Sequence, residues 1–216
     1  EALKTGFIEG DGKFYKQPRT EIRPRPQNDF DGRVYAVASS EDSVDSAAKL
    51  GAHQVMFADR PWEMRVPMID LGRELHRKYH GTEPPAVMLT EFCVCGTDMD
   101  ELEEEARKYQ GKFVESNFYH YEFLGEHFQT VKGYDSYQQK AAIARESGVE
   151  GAVAGFMKAA SWGTPDNILR GLEERRNLVG DFELNIAFRF GGTPMEVSER
   201  GLKLFAKEVL PVLQSW

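Results

Sequence analysis

Residues 162–213 read as one complete helix–strand–helix unit, with a suitable residue at every boundary. Thr164 offers a hydroxyl cap to a helix, and Pro165 fits its first turn. Gly180 suits the left-handed stop of that helix, and the run from Phe182 to Phe190 then reads as a strand. Gly191-Gly192 breaks the strand at its carboxyl end, and a second helix runs from Met195 to Leu213. Units of this kind build α/β barrels, whose chemistry sits at the carboxyl ends of the strands.

The same alternation runs through the rest of the chain. Val34-Tyr35-Ala36-Val37-Ala38 is a short apolar run that predicts a strand buried on both faces. A helix comes next, through Ala47, Ala48 and Leu50 to Gly51, and Gln54-Val55-Met56-Phe57 reads as the next strand. Pro61 opens a helix with Met64, Met68, Leu71 and Leu75 at helical spacing. Residues 86–94 form the longest strand candidate before the last one. Residues 98–109 are helical, with Asp98 as cap and acids in the first turn. Aromatics crowd between Phe113 and Phe128, and Gly133, Tyr134 and Gly148 punctuate the stretch up to residue 160. Residues 113–160 are therefore expected as helical excursions ahead of the last strand. Residues 9–26, rich in Gly and Pro, predict a surface connection that includes a short hairpin.

A closed barrel of this architecture has eight strands and typically about 250 residues. The 216 residues here hold about four strands and begin without Met, on what reads as the last turn of a helix. The expectation is one partial barrel domain over residues 1–216, the C-terminal part of a larger protein. A formal charge of −8 argues against nucleic acid, which needs a basic surface. No apolar run approaches the roughly 20 residues that span a bilayer, and the first residues do not follow a signal-peptide pattern. With two cysteines there is no disulfide scaffold, and a cytoplasmic setting is expected.

The strand–Ser39-Ser40-Glu41-Asp42-Ser43–helix junction is the best site in the chain. A helix start presents free backbone N–H groups and partial positive charge, which favours an anion such as phosphate. Plain helix capping by Ser39 or Ser40, with Asp42 completing a capping box, is the other reading, and the two are compatible. The stretch from Val34 to Ser43, with Ala47-Ala48-Lys49-Leu50-Gly51 after it, resembles the fifth strand and next helix of the bacterial luciferase-like, flavin-dependent monooxygenases. The Gly-Thr-Pro at 163–165 and the closing Phe205…Val209-Leu210-Pro211 resemble the same family.

The resemblance implies an α/β fold, the C-terminal portion of a TIM (β/α)8 barrel with a helical insertion between the seventh and eighth strands. It implies oxidation of a small organic substrate with reduced flavin (FMN) and oxygen. Ser40 and Ser43 match the hydroxyl residues that hold the flavin phosphate, while Ser39 stands where some members carry Glu. Tyr119, His120, Phe123 and His127 are the substrate-pocket candidates, set against a packed aromatic cluster. A flavin reductase and a homo- or heterodimer are the implied partners, with no membrane and no nucleic acid. Two other readings stay open: an oxidoreductase using the deazaflavin coenzyme F420, and a non-catalytic subunit or inactive fragment.

Other residues carry less. Gly191-Gly192 reads as a tight turn more readily than as a phosphate loop, and Arg189 as half of a buried ion pair. Cys93 and Cys95 share a strand face as reduced packing residues, and His76 and His80 belong to a solvated helix face. No metal site and no catalytic base can be named from spacing.

Overall fold

The computed structural model describes residues 2–123, 125–127 and 135–216. A short helix α1 (Ala2–Thr5) leads into an antiparallel hairpin of β1 (Phe7–Asp11) and β2 (Lys16–Glu21). This is the hairpin expected within residues 9–26. Four parallel strands come next in the order β3 (Tyr35–Val37), β4 (His53–Phe57), β5 (Val87–Phe92) and β8 (Phe182–Ala187). The helices α2 (Glu41–Lys49), α3 (Val66–His80) and α6 (Pro165–Val179) connect or flank them. The last strand pairs with β5, so the long segment between them leaves the sheet and returns.

That segment is helical, as the aromatic crowding suggested. It holds α4 (Met99–Tyr121) and α5 (Asp135–Ala159), the latter broken at Gly148. Gly133, Tyr134 and Phe128 lie outside the described residues. The strand expected over 86–94 is interrupted at Cys93: β5 pairs with β8, and β6 (Val94–Cys95) beyond the break pairs with β7 (Trp162–Gly163). The closing helix also departs from regularity. After α7 (Met195–Leu204) comes a π-helical turn at Phe205–Val209, then α8 (Leu210–Leu213).

Alternation along the strands assigns two faces. The outer face, with Met56, Val87, Leu89, Leu184 and Ile186, packs under the helices in the main cores. The inner face carries Tyr35, Val37, His53, Thr90, Glu183 and Asn185. Here β3 is not buried on both faces as expected, for Val37 is 60% exposed. The reason is topological: helices cover one side of the sheet, and the edges of β3 and β8 pair with no strand among the described residues. Across the amino-terminal end of the inner face, Tyr35 Oη donates to Glu183 Oε2 at 2.8 Å, and His53 Nδ1 lies 3.0 Å from Oε1. One carboxylate thus joins the first and last strands of the sheet.

The cap predicted for α6 is present. Thr164 Oγ1 accepts from Asn167 N at 3.4 Å and donates to Asn167 Oδ1 at 2.5 Å. Thr164→Ala is expected to cost about 1 kcal/mol of stability, read as a shift in the urea midpoint. An unchanged midpoint would show that the turn is held by Pro165 and packing alone.

Candidate active site

Ser39, Asp59 and Phe92 stand at or just beyond the carboxyl ends of β3, β4 and β5, around a cavity of about 490 Å³. One wall is polar, formed by Ser39, Asp59, Arg60 and Arg65. The facing wall comes from α4 and α5 and is aromatic. Phe92 lies with ring centroids 4.3 Å from Phe113 and 5.7 Å from Phe156. An opening of this size, mostly apolar with a few convergent polar groups, is what small-molecule sites look like.

At the serine junction the structure shows a complete capping box, closed by Ser43 rather than by Asp42, because Ser40 rather than Ser39 is the N-cap and the third helical position is Ser43. Ser40 is the N-cap of α2 in extended conformation, and its Oγ accepts from Ser43 N at 3.4 Å. Ser43 Oγ accepts from the backbone N–H groups of Ser39 and Ser40 and donates to Ser40 O at 2.8 Å. The Ser43 proton is therefore already used. Among the described residues, the Ser40 hydroxyl proton has only Ser43 Oγ, 3.0 Å away, as an alternative to a ligand. Of the three serines, Ser39 lines the cavity.

The aromatic candidates separate. Phe123 is buried in the lining and packs 6.0 Å from Tyr137. Tyr119 is 86% exposed, and His120 and His127 are exposed as well; none of the three lines the cavity. Phe118 and Tyr121, the neighbours of Tyr119 and His120 on α4, occupy the lining instead. Helical rotation explains this, because residues one position apart point about 100° away from each other.

Several groups sit where spacing did not place them. Arg189 is exposed, with no ion pair among the described residues, since β8 ends at Ala187 and strand alternation stops with it. The buried ion pair lies instead between Arg175 of α6 and Glu91 of β5, 3.2 Å apart. Ser161 gives Glu91 Oε2 two further hydrogen bonds, from N and Oγ, both 3.1 Å. Arg175 Nη2 donates to Ala159 O at 2.7 Å. Burial pushes the Glu91 carboxyl up, and Arg175 and Ser161 pull against that rise. His76 is buried rather than solvated, bonded to Thr82 Oγ1, while His80 reaches Ala48 O at 2.7 Å as α3 packs on α2. Cys93 and Cys95 are buried and free, with burial pushing both thiols up, Cys95 to about 11.

Asp59, Arg60 and Arg65 were not singled out from the sequence. The signal was present in Asp59-Arg60-Pro61, two charges set directly after an apolar strand, where barrels place their chemistry. Among the described residues no cluster of His, Cys, Asp and Glu could hold a metal, and no helix is long and apolar enough to cross a membrane.

A family model described as luciferase-like monooxygenase matches residues 1–181. The chain belongs to that family. A monooxygenase from Streptomyces bottropensis shares 23% identity and superimposes with a TM-score of 0.58, over 95% of this chain and 56% of its own. The coenzyme F420-dependent tetrahydromethanopterin reductase of Methanopyrus kandleri gives 19% and 0.61, over 97% and 59%. The oxygenating constituent of 3,6-diketocamphane monooxygenase from Pseudomonas putida, solved with FMN, gives 14% and 0.57, over 97% and 58%. A search of curated proteins gave no match. The chain spans a little over half the length of these structures, and the fold they share makes its parallel sheet part of a luciferase-like barrel. Members of the family are monooxygenases or related oxidoreductases.

Proposed function

We propose that this luciferase-like chain forms the cofactor-phosphate and substrate-facing part of a flavin-dependent monooxygenase, acting on an organic substrate with reduced FMN and oxygen. The observation that carries this is the adjacency of the capped start of α2 to an aromatic cavity at the carboxyl ends of the strands. Both features fit a flavin. The Ser40 hydroxyl proton and the first-turn N–H groups of α2 suit a phosphate, and the volume beyond Ser39 suits a ring system.

When bound, the reduced flavin supplies the electrons that activate oxygen. The chain's own residues do the rest. Ser40 donates to the phosphate, and Ser43 holds the Ser40 backbone in place for it. Phe92, Phe113 and Phe156 form an apolar wall that would exclude water from the reacting end. On this reading a flavin reductase supplies the reduced cofactor.

Titration of FMN, read by flavin fluorescence, tests the proposal. Ser40→Ala is expected to weaken FMN about tenfold, the worth of one hydrogen bond to a charged group, and to leave riboflavin unchanged. Equal losses for both, or no binding by the unaltered chain, overturn it. The likeness to an F420-dependent reductase supports a second reading, an F420-dependent oxidoreductase. Parallel titration with coenzyme F420 separates the two.

A further inference from the structure

Arg60 is unusual among the charged residues. Its side chain is only 16% exposed, it makes no hydrogen bond among the described residues, and its one ion pair is long, Nε to Asp59 Oδ1 at 3.8 Å. A guanidinium carries five donors, and a ligand that covers them without pairing them is costly. Arg65 is buried more deeply, at 5% exposed. It pairs with the same Asp59 through Nη2, and its Nε has no partner among the described residues. Burial pulls both guanidinium groups down, Arg65 to about 10.

Asp59, Arg60 and Arg65 are the only charged residues in the cavity lining among those described. Two guanidinium groups thus share one carboxylate, which leaves one positive charge and several donors on the polar wall. The facing wall holds Phe113 and Phe156, with Asn117, Tyr121 and Tyr137 as its polar side chains, and carries no charge to pair with them. A neutral apolar ligand would leave these donors orphaned, whereas an anionic oxygen would satisfy them with charge-assisted bonds.

We propose that Arg60 and Arg65 form an anion subsite that receives the carboxylate-like head of an amphipathic substrate, with its apolar body lying against the phenylalanine wall. This deepens the monooxygenase reading and rests on the cavity being its substrate chamber. Arg60, the less committed of the two, is the principal ligand; Arg65 holds Asp59 and offers Nε. Asp59 tempers the site, so that its charge limits how tightly an anion is held.

The flavin phosphate is another source of such an anion, and the test separates the two. Octanoate and 1-octanol are titrated into the flavin-free chain by calorimetry, so a failure of flavin binding leaves this measurement intact. Octanoate is expected to bind about tenfold tighter than the alcohol of the same length, the scale of a hydrogen bond to a charged group. Arg60→Gln removes that preference and leaves the ratio of FMN to riboflavin affinity as it was. Asp59→Asn moves the other way and tightens octanoate, which a merely structural role would not produce. Circular dichroism of both variants confirms that they fold. Equal affinity for octanoate and octanol, or no binding of either, overturns the subsite. Loss of the FMN preference over riboflavin in Arg60→Gln overturns its assignment to the substrate.

Discussion

Arg175→Met is expected to lower the unfolding free energy by about 3–5 kcal/mol near neutral pH, the usual cost of leaving a buried charge without its partner. Glu91 has no exposure, and Arg175 is the cation that faces it. With the guanidinium gone, only the two Ser161 donors oppose the upward push of burial on the carboxyl. The folded variant then holds the proton to higher pH than the unfolded chain does. Stability contributed by that proton is present below the ordinary carboxylate range and lost as pH rises through the raised value. The deficit against the unaltered chain should therefore be small in acid and grow toward neutrality. Urea denaturation at pH 5 and pH 7 reads it, and a deficit independent of pH would sink the account. Replacing both partners by apolar residues, Glu91→Leu with Arg175→Met, should recover most of the loss.

Gly191→Ala is the second large effect. Gly191 has φ +54°, and a Cβ built there would lie 2.0 Å from the Tyr109 carbonyl oxygen and 3.1 Å from Phe113 N. Both are backbone atoms of α4, so no side chain can swing away to make room. The loop after β8 would have to leave α4, taking with it Phe190, which packs 5.4 Å from Phe92 at the cavity wall. A loss of more than about 4 kcal/mol is expected, beyond what ordinary substitutions produce. Gly192, at φ +76° with open space around it, is the internal control. Gly192→Ala should cost only about 1–2 kcal/mol, the strain of a left-handed backbone with a side chain. Equal urea midpoints for the two variants would show that close approach to α4 does not fix this turn. A large measured difference would support the tight-turn reading of Gly191-Gly192.

Much of the fold was legible because its signals are local. Thr164, Pro165 and Gly180 bound α6, and a serine cap bounds α2, through bonds that span four residues or fewer. What was not legible depended on contacts distant in sequence. His76, beside Arg77 and Lys78, reads as solvated until α2 packs over it. Arg189 lies on what looks like a continuing strand, yet the chain turns away two residues earlier. Asp59 and Arg60 look like an ordinary charged loop, and only α4 and α5, arriving about fifty and more residues later, turn them into a cavity wall.

The sequence by itself determined the order of the main strands and helices, a serine cap at the start of α2 and the resemblance that the family model bears out over residues 1–181. Hydrogen bonds within a turn and the period of apolar residues settle such features before any long-range contact forms. The tertiary structure decided which aromatics face the cavity, which arginine is buried in an ion pair and which lines the cavity without a hydrogen bond among the described residues. Those outcomes depend on how α4, α5 and α6 cross the sheet. The free energy of burying a charge or a ring is set by neighbours that the local sequence does not name.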